Sequence, residues 1–208
     1  TGGVFSILNN NLLANSDFIT GAFPAEYGNK TAAVFDVKLR NGNNQKRENT
    51  FQAGLNGIEF GTEGPISKKK GSSYLVSYRF LSFEVMNKLG VNFGVSGIPS
   101  FHDATFKINL PTDKAGTFTL WGIGGTSKIF IHEKYPNEIN KRNIAYEDDD
   151  FKSEMFATGA SHTYQFSKNT TGKLVLSTSA NRVGIKSATI YKDDSKIEDY
   201  DHTNTEGQ

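Results

Sequence analysis

The sequence predicts an all-β protein of antiparallel strands, and three observations carry that reading. Downstream of Asn44, apolar and polar residues alternate with a period of two in run after run, as strands with one buried face require. The connections between these runs are rich in turn residues, and from residue 65 onward short ones alternate with long ones. Hydrophobic residues make up only 36% of the chain while aromatics reach 12% and glycines number 21, a balance that suits strands apolar on one face.

Residues 1–44 have a different character. Gly3 to Leu8 reads as a short strand, and Asn9, Asn10 and Asn11 as a turn or the start of a helical turn through Leu12, Leu13 and Ala14. Phe18 and Ile19 lead into Gly21-Ala-Phe-Pro-Ala-Glu-Tyr-Gly-Asn29, a tight glycine-bounded turn. There Pro24 fixes φ, and Gly21 and Gly28 are expected to supply conformations closed to other residues. Val34, Phe35, Val37 and Leu39 then alternate imperfectly with Asp36, Lys38 and Arg40, as in a largely buried strand. Asn41-Gly-Asn-Asn44 ends it.

The strands follow in order. Phe51, Ala53 and Leu55 alternate with Gln52 and Gly54, and Asn56-Gly57 is a type I′ hairpin signal. Ile58, Phe60 and Thr62 return against Glu59, Gly61 and Glu63. After a polar connection over 65–72, Tyr74, Val76, Tyr78 and Phe80 share one face, with Ser77 and Arg79 on the other. Residues 86–101 read as a long loop. Ala104, Phe106, Ile108 and Leu110 oppose Thr105, Lys107 and Asn109, then residues 111–116 turn the chain. Phe118, Leu120 and Gly122 oppose Thr117, Thr119 and Trp121, and a second long polar loop spans 128–150. Phe156, Ala160, Tyr164 and Phe166 form the next face, residues 167–172 turn, and Leu174, Leu176 and Ala180 form the last. Ser187 to Lys192 extends that strand before an acidic tail, which gives about seven strands.

Composition and motifs exclude several function classes. The net charge is +1, so no global field favours nucleic acid, and the absence of Cys removes disulfides, thiolate nucleophiles and Cys-based metal sites. No run of about 18 apolar residues offers a membrane-crossing helix, although barrel strands need only about 9–11 residues of alternating pattern. His102, His132, His162 and His202 lack metal-ligand spacing, and His162 reads as a barrel-surface or interface residue. Asp148, Asp149 and Asp150, and the later Asp193, Asp194, Glu198, Asp199 and Asp201, lack the ladder of a calcium loop and read as solvated loop and tail. Glu59 and Glu63 share a strand face, which suits routine lumen-facing polarity better than acid–base catalysis. Lys68, Lys69 and Lys70 are a solvated turn, favourable to lipid headgroups, and no glycine cluster opens a phosphate loop.

Two stretches, TGAFPAEYGN at 20–29 and VFDVKLRNGNN at 34–44, resemble the last plug segment of TonB-dependent outer-membrane receptors. The resemblance continues through 51–80 and 101–125 and covers residues 1–127. It implies residues 1–44 as the C-terminal part of a plug domain and 45–208 as the first strands of a transmembrane β-barrel with extracellular loops. Seven strands fall short of that family's barrel of about 22, so the chain is expected to be a fragment. The short connections at 65–72, 111–116 and 167–172 are then periplasmic turns, and the long ones are outside.

The implied function is active, TonB-dependent uptake of a nutrient across the bacterial outer membrane, without catalysis and without a cofactor. Siderophore, haem, cobalamin, peptide and glycan remain open as cargo. Implied partners are the TonB complex, acting through an N-terminal segment outside this chain, the extracellular nutrient and outer-membrane lipid. Plug–barrel contacts are expected at Glu26, Tyr27, Asp36 and Arg40, and membrane-interface aromatics at Tyr74, Tyr164 and Phe166. Trp121 falls on the inward alternation and is expected to pack on the plug. An incomplete sheet with two open edges is expected to self-associate in detergent-free buffer. The alternative is a soluble β-sandwich binding module, for which carbohydrate is the natural ligand class, since one buried face per strand also marks a sandwich. An outer-membrane enzyme is disfavoured, because no Ser/His/Asp grouping appears.

Overall fold

The computed structural model describes residues 7–21, 23–24, 27–28, 32–54, 57–82, 90, 97–134, 144–191 and 196–207. It is all-β. Two short strands, β1 (Asp17–Ile19) and β2 (Val34–Asp36), pair antiparallel into a small sheet. The rest is one antiparallel sheet of eight strands in consecutive order. These are β3 (Glu48–Gly54), β4 (Gly57–Ser67), β5 (Ser72–Ser82), β6 (Gly97–Pro111), β7 (Thr117–Lys134), β8 (Ile144–Ser167), β9 (Thr170–Tyr191) and β10 (Lys196–Gly207). Every pairing in it is a nearest-neighbour hairpin, and β3 and β10 are its two edges.

The alternation read from the sequence becomes two chemically distinct faces. On β4, Glu59 and Glu63 are buried while Phe60 and Ile66 remain more than half exposed. On β5, Ser73, Leu75 and Ser77 are buried against exposed Val76 and Tyr78. The register carries the outward set across the sheet: Phe60 opposite Tyr78, Tyr78 opposite Ala104, Phe106 opposite Gly122, Leu120 opposite Ala160 and Ala160 opposite Leu176. One face therefore carries an apolar belt open to the surroundings, and the other carries the buried polar side chains Glu59, Glu63, Ser73, Ser77, Asp103 and Thr105.

Glycine matters at the turns for definite reasons. Gly116 has φ +78°, and a Cβ there would lie 2.2 Å from the Thr163 carbonyl oxygen. Gly57 has φ +101° and the register pairs it with Gly54, so it belongs to β4, while the expected turn residue Asn56 lies outside the described residues. Gly21 and Gly28 differ from expectation: neither has a left-handed φ, and a Cβ at either meets nothing within 4 Å. Val34 is buried but Phe35 is 57% exposed, packed edge-on to Phe18 with ring centroids 6.2 Å apart, so this strand is only half buried. Residues 10–12 form a 3-10 turn after Asn9, as the Asn run suggests. The strand expected from Gly3 falls mostly on residues outside the described set.

Parts of three segments expected as loop or tail are strand. The region 86–101 gives Gly97–Phe101 to β6, and 128–150 contributes to both β7 and β8, with only 135–143 outside the described residues. The sheet consequently has eight strands rather than seven, because Lys196–Gly207 pairs with β9 as β10. Charge does not prevent this, since the ladder is a backbone structure and the side chains alternate between faces. Asp148 takes up His132 at 2.6 Å, and Asp149 accepts from the Ser187 hydroxyl. The turn expected at 167–172 tightens to residues 168–169.

Candidate functional site: a polar seam on the sheet

The polar face of β4 and β5 receives the N-terminal segment along a seam of hydrogen bonds. Its centre is Glu59, whose side chain is buried and would be costly there without donors. Asn9 Nδ2 donates to Glu59 Oε1 at 2.6 Å and Ser77 Oγ donates to the same oxygen at 3.0 Å. Asn11 Nδ2 donates to Glu59 Oε2 at 3.3 Å and to Gln52 Oε1 at 3.2 Å. The 3-10 turn presents both amides, and Asn9 caps it by accepting from the Asn11 N–H. Leu12, in the same turn, is buried.

Two pleats along β4, Glu63 is held by Arg40. Nη1 and Nη2 each donate to a different carboxylate oxygen at 2.7 Å, the fork geometry that makes Arg–carboxylate pairs strong. The Asn43 N–H adds a third donor at 2.7 Å. Arg40 Nε also donates to the Asn11 carbonyl at 2.8 Å, tying the two parts of the segment together. The Glu63 carboxylate beside it raises the Arg40 guanidinium further above its already high range. From β6, Lys107 Nζ donates to the Leu39 carbonyl at 2.6 Å. Gly42 lets the chain pass close to β5, where a Cβ would stand 2.0 Å from the Tyr74 carbonyl oxygen.

Beyond the seam on the same face, Arg79 donates to Asp103 Oδ2 through Nε at 3.0 Å and Nη2 at 2.8 Å, and its guanidinium sits 5.1 Å from the Phe101 ring centre. The buried Thr105 hydroxyl has no hydrogen-bond partner among the described residues. Trp121 lies on this face too, with its ring edge against Gly159, where a Cβ would be 2.9 Å from Cζ2.

Of the residues the sequence singled out, Arg40 reaches the large sheet. Tyr27 and Asp36 meet each other, Oη donating to Oδ2 at 3.1 Å, and Lys38 bridges Asp36 and Asp17. Those two carboxylates raise the Lys38 ammonium well above its ordinary range. This group belongs to the small sheet. Glu26 lies outside the described residues. Sequence reasoning missed Asn9, Asn11 and Asn43, and read Glu59 and Glu63 as ordinary polar alternation. The available signal was two carboxylates four apart on one strand face, which need donors when that face is covered.

Tyr74, Tyr164 and Phe166 lie on the apolar face, each close to a short turn. Tyr164 and Phe166 pack edge-on at 4.9 Å, and beside them His162 stacks on Phe118 at 4.2 Å. Tyr74 Oη accepts from Arg47 Nε at 2.9 Å. Chemically the seam is a clamp: its carboxylates are saturated with donors, which suits holding a segment and leaves little capacity for proton abstraction. Comparisons with protein-family models, with curated proteins and with solved structures give no match to this chain.

Proposed function

We propose that this chain is part of a TonB-dependent outer-membrane transporter, with residues 1–44 as the end of its plug and 45–208 as its first barrel strands. One observation carries the reading: an antiparallel sheet with an open apolar belt on one face and, on the other, a polar surface clamped to the preceding segment through Glu59 and Glu63. A transmembrane barrel needs both faces, lipid outside and a polar lumen inside. In this reading further strands close the edges at β3 and β10, and Tyr74, Tyr164 and Phe166 sit at the periplasmic membrane interface.

The mechanism follows from the clamp. Hydrogen bonds hold the plug by individually modest energies, so a pulling force from the TonB complex separates it stepwise without breaking covalent structure. The cargo is a nutrient such as a siderophore, haem, cobalamin, peptide or glycan, bound outside before the plug moves. The test replaces Leu120 or Thr119 by cysteine in the membrane-embedded protein and attaches a polarity-sensitive dye. A hydrocarbon signal at 120 with a water signal at 119 is expected. Water at both positions would move the assignment to a soluble β-sandwich.

A further inference from the structure

The segment that docks on the polar face runs from Leu39 through Arg40, Asn41, Gly42 and Asn43. Asn followed by Gly is the pair in which a peptide nitrogen most readily attacks the preceding side chain, because glycine puts no Cβ in the way. Both reacting groups are unengaged here. Asn41 is exposed, its side-chain amide makes no hydrogen bond among the described residues, and the Gly42 N–H donates to nothing among them. The neighbouring asparagines differ. Asn9 and Asn11 spend their amides on Glu59, and Asn43 Oδ1 accepts from the N–H groups of Gln45 and Lys46.

A cation is aimed at the same peptide unit. Arg40 Nη1 donates to the Asn41 carbonyl oxygen at 3.3 Å while it holds Glu63 at 2.7 Å. That carbonyl and the Gly42 N–H belong to one conjugated peptide group, so charge left on the nitrogen by proton loss spreads to the oxygen Arg40 contacts. The guanidinium therefore stabilises the peptide anion, which is the form that attacks.

We propose that Asn41–Gly42 is a self-modification site, activated by Arg40, whose deamidation loosens the seam. Solvent hydroxide takes the Gly42 proton, the nitrogen bonds to Asn41 Cγ, and the Cγ–Nδ2 bond breaks with Nδ2 leaving as ammonia. Water then opens the five-membered imide at either carbonyl, which leaves aspartate or isoaspartate. Overall one amide and one water give one carboxylate and one ammonium ion. Either product sets a new carboxylate beside Arg40, in competition with Glu63. Isoaspartate also lengthens the main chain by a methylene immediately before Gly42, where a Cβ would already stand 2.0 Å from the Tyr74 carbonyl oxygen. The next residue is Asn43, whose N–H reaches Glu63 at 2.7 Å, so two of the donors to Glu63 are disturbed together. The step needs only the seam, whatever meets the apolar face.

The experiment holds the full-length chain in mildly alkaline buffer and samples it by peptide mapping, with fresh protein as the reference. Aspartate and isoaspartate at 41 are expected to accumulate well ahead of conversion at exposed Asn44 or Asn181. Arg40→Met is expected to slow the reaction about tenfold, the worth of one hydrogen bond to a charged group. Hydrogen exchange at the Asn43 amide is expected to rise about tenfold in aged wild type and to stay at the fresh value in aged Asn41→Gln. Conversion at 44 or 181 as fast as at 41 overturns the site. An equal or faster reaction in Arg40→Met overturns the activation, since a looser segment by itself reacts sooner. Equal exchange in aged and fresh wild type, a comparison that needs no variant to fold, overturns the loosening.

Discussion

Arg40 and Glu63 are 23 positions apart and share two parallel 2.7 Å hydrogen bonds, one from each terminal guanidinium nitrogen. Glu63 is nearly buried while Arg40 is about one-third exposed, so the pair closes the polar face at its rim. Losing the arginine leaves the carboxylate with the Asn43 amide but no countercharge. Arg40→Met is therefore expected to weaken docking of the segment by about 1–3 kcal/mol, below the range for fully buried pairs because water reaches the guanidinium. Hydrogen exchange at the Asn43 amide reads this, and Glu63→Gln in the same chain should recover part of the loss. Unchanged exchange in Arg40→Met would remove the pair from the clamp.

Gly42 gives a sharper test, because its neighbour is backbone. A methyl group at this position meets the Tyr74 carbonyl, which cannot swing away without disturbing β5. Gly42→Ala is expected to cost about 1–3 kcal/mol, as overpacking does, and to raise exchange along residues 39–43. Gly21→Ala, with open space around it, should stay within about 0.5 kcal/mol. Equal effects in a denaturation series would contradict the close approach.

Trp121 is the single tryptophan of the chain and lies against Gly159 from the neighbouring strand. Gly159→Ala puts a methyl 2.9 Å from the indole and 2.8 Å from the Leu176 carbonyl, so the ring must tilt away. A shift in emission maximum and a cost of about 1–3 kcal/mol are expected. An unchanged spectrum would mean that the ring rests elsewhere.

The two faces should respond oppositely to charge. Leu120→Lys puts an ammonium on the apolar belt and is expected to cost about 2–4 kcal/mol if that belt meets hydrocarbon. Ser177→Lys, on the polar face opposite Gly159, is expected to be tolerated. Refolding yields into bilayers measure both. Similar yields would deny the faces their different surroundings.

Period-two alternation made the strands from 51 to 125 legible, because one face of each carries Phe, Ile, Leu or Tyr. The same rule hid the 144–155 stretch of β8 and the strand at 196–207, where charged residues fall on both faces and the hydropathy contrast weakens. What holds those stretches is the backbone ladder to a neighbouring strand, which leaves no mark on side-chain pattern. Arg40 was legible as a charged residue leaving a strand toward a glycine turn. Asn9 and Asn11 were not, since an Asn run reads as local turn chemistry and nothing in it announces a partner 48 or 50 positions away.

The strands lengthen steadily across the sheet, from 7 residues in β3 to 24 in β8. In the proposed barrel, at a tilt near 40°, 24 residues would rise about 60 Å along the axis, well over twice the height of an apolar band of about 25 Å. The surplus is not slack chain but a hydrogen-bonded parapet, higher on one side than on the other. A protease needs several residues of detached, extended chain to cut, and a ladder bonded on both sides offers none. If the sheet is part of a barrel, as proposed, such a wall would give the mouth of its pore a lopsided approach, open over β3 and β4 and shielded over β7 to β9, so that a large solute would arrive from one direction.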